Sequence, residues 1–280
     1  MTSVEIDEAA QATAHVAEQL RNVGRLGVAF SGGVDSSVLL ALAVRALGAD
    51  RVVAVLGVSP SLAADERTAA HLVAKTIGVP VVEVETREDE REAYRANGPD
   101  RCFHCKDELF TRIGAEVAGR YRLDAVAYGE NADDVRRLDR PGARAAAEHE
   151  VLTPLAVAGL DKAAVRRIAR TFELPCADKP AAPCLASRIP HYQIVSPRKL
   201  SQVEQAEAAL RRLGFADFRV RHHGEIARLE LPAGDLLRAA SEPLRHRILQ
   251  AVTEAGFRFV ALDLAGLQSG AFTSAFVQNT

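Results

Sequence analysis

Tryptophan is absent, and 280 residues hold only ten phenylalanines and four tyrosines. Binders of single-stranded nucleic acid rely on exposed aromatic platforms, and a chain this poor in them is not built as one. Neither sign of charge is in excess: 35 Lys and Arg against 37 Asp and Glu leave a formal net charge of −2. The acid falls mostly before Arg188, and the remainder carries a small positive excess without a dominant basic patch. Nucleic acid is therefore not the expected partner. No apolar run approaches the ~18 residues of a membrane span. The acidic, alanine-rich start lacks the apolar core of a secretory signal, so the expected compartment is the cytoplasm. There, four cysteines read as metal-binding or catalytic groups rather than disulfides. Also missing is a Gly-Lys-Ser/Thr ending, whose lysine reaches the β- and γ-phosphates in a Walker loop.

In its place stands Ser31-Gly32-Gly33-Val34-Asp35-Ser36-Ser37, between a short apolar run at 26–30 and a helical pattern at 38–47. Two glycines at a strand-to-helix turn let the backbone approach an anion closely. The helix start offers unpaired N–H groups and the positive dipole end. Ser31, Ser36 and Ser37 add hydroxyls, and the assembly reads as a pyrophosphate cradle. Asp35 cannot pair with phosphate directly, but an acid beside such a cradle suits Mg²⁺. The order Ser-Gly-Gly-x-Asp-Ser resembles the PP-loop of the ATP pyrophosphatases, which split ATP between the α- and β-phosphates and adenylate a substrate oxygen.

The surrounding pattern predicts a helix at 9–23, then strands at 26–30, 51–57, 79–84 and 125–128 alternating with helices at 36–47, 63–77 and 106–120. A helix at 161–171 follows, with Asp161 as its N-cap. Such alternation calls for a doubly wound parallel sheet covered on both faces, with ligands at the carboxyl ends of its strands. The stretch 174–197 carries five prolines and reads as loop. Beyond it, a helix at 198–213, a hairpin at 218–223 and 225–231, a helix at 236–255 broken near Pro243, and a strand at 257–262 suggest a smaller α/β sandwich. The expected domains are 1–187 and 188–280, and the last residues, 270–280, are expected to be loose.

Cys102 and Cys105 form a Cys-x-x-Cys, whose thiolates can hold two corners of a metal site across a tight turn. Cys184 lies far along the chain and could add a third thiolate, leaving one iron of an iron–sulfur site open. A structural zinc site, a redox dithiol and plain spectator thiols are the other readings. Cys176 reads as a spectator.

Four segments then occur in one order: the heptad, Arg101-Cys102-x-x-Cys105-Lys106, Gly129-Glu130-Asn131-x-Asp133-Asp134, and Pro183-Cys184-Leu185-Ala186-Ser187-Arg188-Ile189-Pro190. Together they resemble the LarE family of sulfur transferases, which help build the nickel-pincer cofactor of lactate racemase. The resemblance implies that ATP adenylates a carboxylate of pyridinium-3,5-biscarboxylic acid mononucleotide and that sulfur then displaces AMP. In one version of the family a single cysteine gives up its sulfur. In the other, three cysteines hold a [4Fe-4S] cluster with a transferable sulfide. The Cys-x-x-Cys matches the second, with Cys102, Cys105 and Cys184 converging near the cradle and the sulfide source open. Ser31, Gly32, Gly33, Ser36 and Ser37 would hold pyrophosphate, and Asp35, Asp133 and Asp134 are candidates for Mg²⁺. Glu130 and Ser187 are placed at nucleotide or substrate. Cys184, Lys106 and Arg188 are placed at the chemistry, the two cations neutralising charge on phosphorus or carboxylate. Arg219 and Arg221 share one strand face and, with His222 or His223, suit the mononucleotide phosphate. A homo-oligomer is implied. A tRNA thiolase of the same superfamily, with a similar cradle, an amidating ligase and a nucleotide-binding module without catalysis are the competing readings.

Overall fold

The computed structural model describes residues 3–136 and 141–267. The chain runs α1 (Ser3–Leu20), β1 (Leu26–Ala29), α2 (Val34–Leu47), β2 (Val52–Val58), α3 (Ala64–Ile77) and β3 (Val81–Glu85). After a short helix α4 (Glu92–Arg95), α5 (Arg101–Arg112) continues through a π-helical stretch, Ile113–Ala118, into α6 (Gly119–Tyr121). Strand β4 (Ala125–Tyr128) leads to α7 (Ala132–Val135), α8 (Pro141–Glu148), α9 (Pro154–Val157) and α10 (Lys162–Thr171). The remainder is α11 (Pro197–Arg212), β5 (Arg219–His223), β6 (Ile226–Glu230), α12 (Ala233–Ala240), α13 (Leu244–Glu254) and β7 (Phe259–Leu262).

These elements form two units. One comprises Met1–Glu88 and Asp100–Ala182, the other Asp89–Pro99 and Pro183–Thr280. The first is the expected parallel sheet, in the order β3-β2-β1-β4. Strand β2 shows why both faces must be covered: Val52, Ala54 and Leu56 enter one core with α1, α2, α3 and α10, while Val53 and Val55 enter a second with α5 and its continuation. The strand order reverses between β1 and β4, so their carboxyl ends flank the crevice where such sheets take ligands.

The second unit carries a three-stranded sheet, β5-β6-β7. The hairpin β5–β6 is antiparallel, as its turn demands, and β7 joins β6 in parallel. The segment Asp89–Pro99 is contributed from within the first unit's sequence. Asn97, buried and at φ 58°, anchors it: its Nδ2 donates to the carbonyls of Ile189, Pro190 and Gln193, while its own carbonyl accepts from Tyr192 N.

Two local expectations need amendment. The helix expected at 106–120 starts at Arg101, so both cysteines of the Cys-x-x-Cys lie within its first five residues rather than before it. Helix α8 stands in a stretch to which the pattern assigned no element; its Pro141 suits a first helical turn, whose N–H is unpaired anyway. Within the proline-rich loop, Leu185–Arg188 forms a 3₁₀ turn. The tail expectation for 270–280 lies outside the described residues. Among the described residues, no helix is long and apolar enough to cross a membrane.

Candidate active site

The cradle closes β1 and opens α2, and its own hydroxyls shape it. Ser31 N donates to Ser36 Oγ, and Ser36 Oγ donates to Gly33 O at 3.1 Å. Gly33 caps α2 without any side-chain bond, so the first N–H groups of the helix face outward for an anion. Gly32 sits at φ 72°, and a Cβ there would lie 2.7 Å from Ala70 Cα. Glycine is therefore required twice over, by backbone conformation and by space. Ser37 Oγ is fully buried and has no hydrogen-bond partner among the described residues. A buried hydroxyl left this way stands ready for a ligand oxygen.

The turn after β4 is pressed against this cradle. A Cβ on Gly129 would lie 2.6 Å from Ser36 N. The next residue, Glu130, is buried, with Oε1 unpartnered among the described residues. Asn131 then does two jobs. Its Oδ1 accepts from Asp134 N, with Asp134 Oδ2 reaching back to Asn131 N, a capping box that starts α7. Its Nδ2 donates to Asp35 Oδ1 at 3.0 Å.

The other oxygen of Asp35 receives the ammonium of Lys162, at the first position of α10. The sequence reading passed over Lys162, which belongs to no motif and stands 127 residues away in the chain. Asp161 caps α10 as expected, accepting from Ala164 N. Asp133 Oδ2 accepts from Lys162 N at 3.0 Å, and its Oδ1 pairs with Arg136. The cation that a Walker loop carries beside its glycines thus reaches this cradle from a different helix. Both carboxylate oxygens of Asp35 thus have partners, and Asp133 and Asp134 are engaged at helix starts.

Lys106 follows Cys105 on α5. Its ammonium lies 3.9 Å from the centre of the Tyr128 ring, and its stem fills the space where Gly142 lacks a Cβ. Cys102 and Cys105 are three residues apart at the start of the helix, hence on one helix face. The first turn also favours anionic ligands through the helix dipole. Cys102 is exposed, Cys105 half-buried, Cys176 buried, and none is in a disulfide.

In the second unit, Cys184 is exposed and caps the 3₁₀ turn Leu185–Arg188. Arg188 is buried and pairs through Nε with Glu207 Oε1 at 2.8 Å and through Nη2 with Oε2 at 3.2 Å. Its Nη1 donates to Pro183 O, Cys184 O and Ser187 Oγ. Arg221, also buried, pairs with both oxygens of Glu230 and donates to Ser187 O at 2.9 Å. Both guanidiniums, expected at substrate, are thus engaged with protein groups. Arg219 is half-buried, and burial first, then the charges of Arg221 and Arg188, push it below the ordinary arginine range. His223 is pushed down by burial and then by Arg228 and Arg221. Arg219 and His223 both disfavour their own charge, a cost that a nearby anion would relieve. His222 differs: it lies in the core against Phe257, 5.2 Å between ring centres, with Nε2 at 3.3 Å from Gln202 Oε1. Among the described residues, no three His, Cys, Asp or Glu side chains gather as a metal-holding group.

Comparison with known proteins places the chain among relatives. Residues 10–112 match the asparagine synthase family, a span that includes the cradle. The chain is 39% identical over 243 residues to an uncharacterised protein of Synechocystis, covering 87% of this chain and 90% of that protein. It is 33% identical over 254 residues to the pyridinium-3,5-bisthiocarboxylic acid mononucleotide synthase of Lactiplantibacillus plantarum, covering 90% of each. A tRNA-specific 2-thiouridylase of Caulobacter is 29% identical over 191 residues, 56% of this chain and 47% of that enzyme.

Proposed function

The chain belongs to the pyridinium-3,5-bisthiocarboxylic acid mononucleotide synthase (LarE) family, and on that premise we propose how its residues carry out ATP-dependent sulfur transfer. The protein is an ATP-using sulfurtransferase of nickel-pincer cofactor biosynthesis. The observation that carries the residue-level reading is the cradle itself, with Lys162 held against Asp35.

A substrate carboxylate oxygen attacks the α-phosphorus of ATP, and the bond to the β-phosphate oxygen breaks as pyrophosphate leaves. The N–H groups at Gly32, Gly33 and the start of α2, with the Ser37 hydroxyl, receive the departing charge. Lys162 transfers its ammonium from Asp35 to those oxygens. That movement uncovers Asp35, the residue that would hold Mg²⁺, whose positive charge would offset the negative charge of the phosphates. Glu130 orients nucleotide or substrate, and Lys106 neutralises the carboxylate. Sulfur then attacks the acyl carbon, the C–O bond to AMP breaks, and a thiocarboxylate results. Arg219, with Arg221 and Ser187 behind it, binds the mononucleotide phosphate.

Cys102, Cys105 and Cys184 would hold a [4Fe-4S] cluster, whose chemistry here is a transferable sulfide on an iron without a protein ligand. The Cys-x-x-Cys on one helix face supports this reading. Direct donation by Cys184, whose Cβ–Sγ bond would break to leave dehydroalanine, is the second reading, favoured by its exposure on a clamped turn. The protein acts as a cytoplasmic homo-oligomer.

The test is anaerobic protein assayed for iron, sulfide and turnover. About four irons and four sulfides, lost in Cys102→Ala and Cys184→Ala, are expected, with pyrophosphate release dependent on the mononucleotide. Iron-free protein that still forms thiocarboxylate would overturn the cluster. Pyrophosphate release stimulated by tRNA instead would overturn the substrate.

A further inference from the structure

We propose that Glu207 is a positioning residue for the sulfur step, holding the Cys184 turn in place through Arg188. The inference rests on the reading above that Cys184 takes part in sulfur transfer.

The turn is held from within by its buried Leu185, Ala186 and Ile189 side chains and by two backbone bonds, Ser187 N to Cys184 O and Ile189 N to Ala186 O. The wider grip comes from Arg188, whose Nη1 reaches Pro183 O at 2.7 Å, Cys184 O at 3.4 Å and Ser187 Oγ at 2.9 Å. A long side chain can hold three acceptors only if its far edge is fixed. Glu207 fixes it with both carboxylate oxygens. Glu207 is only 1% exposed, lies within the sixteen-residue helix α11, and is itself held by Val220 N at 3.1 Å. The path therefore runs from a rigid helix and strand β5, through one planar ion pair, to the backbone on both sides of the cysteine.

Stability alone does not explain this arrangement, because a buried ion pair is often no more stabilising than two apolar side chains of similar volume. What apolar residues cannot supply is direction: the guanidinium fork points its remaining N–H groups at one set of acceptors. Arg221 supports the turn from Ser187 O, but it lies on the strand assigned to the mononucleotide. Glu207 also pairs with Arg211 at 3.6 Å and favours the charge of Arg219 on the substrate strand, so the two chemical steps are followed separately at saturating mononucleotide.

The experiment is a single turnover of the anaerobic holoenzyme with ATP and the mononucleotide, following pyrophosphate and thiocarboxylate in the same quenched samples. In Glu207→Gln, pyrophosphate is expected within about two-fold of the parent rate. Thiocarboxylate is expected about ten-fold slower or worse, since small misplacements of a reacting group cost this much. Glu207→Asp, which keeps the charge but draws it back, should show a milder form of the same split. Equal loss in both steps, no loss in either, or failure of both variants to fold would assign Glu207 to stability alone and overturn the proposal. Cys184→Ala separates the two levels of inference. If it still makes thiocarboxylate, the reading of Cys184 fails; if it does not while Glu207→Gln behaves as the parent, only the positioning role fails.

Discussion

Replacing Lys162 with methionine removes the ammonium and keeps a stem of similar length. The resting contact is with Asp35, and the side chains are 39% and 23% exposed. A pair this open contributes about 0–1 kcal/mol to folding, so the melting temperature should scarcely move. Chemistry is where the loss falls. An ammonium about 4 Å from a phosphoryl charge is worth about 4 kcal/mol at an effective dielectric near 20. Halving that for the solvent around Lys162 leaves about 2 kcal/mol, or roughly 30-fold in rate. Asp35 is released from Lys162 during the reaction in the parent as well, so it adds nothing and the expected loss stays at about 30-fold. The assay is substrate-dependent pyrophosphate release at saturating ATP, with inhibition by added pyrophosphate measured in parallel. Both the rate and the affinity for pyrophosphate should fall. A folded variant with a rate within about three-fold of the parent would refute the argument, because no other side chain was given Lys162's task.

Gly129→Ala would drive a Cβ into the backbone at Ser36; a loss of about 1–3 kcal/mol in thermal unfolding is expected, together with weakened ATP binding by calorimetry. His222 is held at about 4, below its ordinary 6.5, first by burial and then by Lys199. Its neutral form is the one the fold accepts, so stability is complete above pH ~6.5 and declines as the pH falls toward 4. At pH 5 the loss is about 2 kcal/mol, and urea midpoints at pH 7 and pH 5 should show a difference that His222→Phe abolishes. Asn97→Ala removes the donor to three carbonyls and should cost about 1–3 kcal/mol, read as an earlier urea transition.

What the sequence disclosed was local chemistry. The heptad, the Asp161 cap and the β5–β6 hairpin depend on neighbours within a few residues, and they stand where the pattern put them. What it concealed was long-range pairing. Lys162 has no signature, since only the fold carries it to Asp35. Arg188 and Arg221 were read as charges awaiting a ligand, because two arginines in a line of sequence do not announce Glu207 and Glu230 as buried counter-ions. Asp133 and Asp134, candidates with Asp35 for Mg²⁺, also serve helix starts, a use that sequence does not distinguish from metal binding. The segment Asp89–Pro99 is too short and too charged to reveal an apolar period, so nothing in it signalled membership of the second unit.

That segment has a consequence for how the chain is made. Synthesis proceeds from the amino end, and residues 89–99 emerge long before their partners at Ile189, Pro190 and Gln193. At ~5–20 residues per second, the interval is about 5–20 s. Through that time Asn97, buried in the finished protein, lacks the three carbonyls its amide serves. The sheet around the cradle can assemble meanwhile, but the stretch leading from it into the Cys102 helix cannot settle until the second half of the chain arrives. Vectorial folding therefore leaves a tethered open loop just ahead of the Cys-x-x-Cys in the chain, and that is the interval in which the nascent chain is most exposed to proteases.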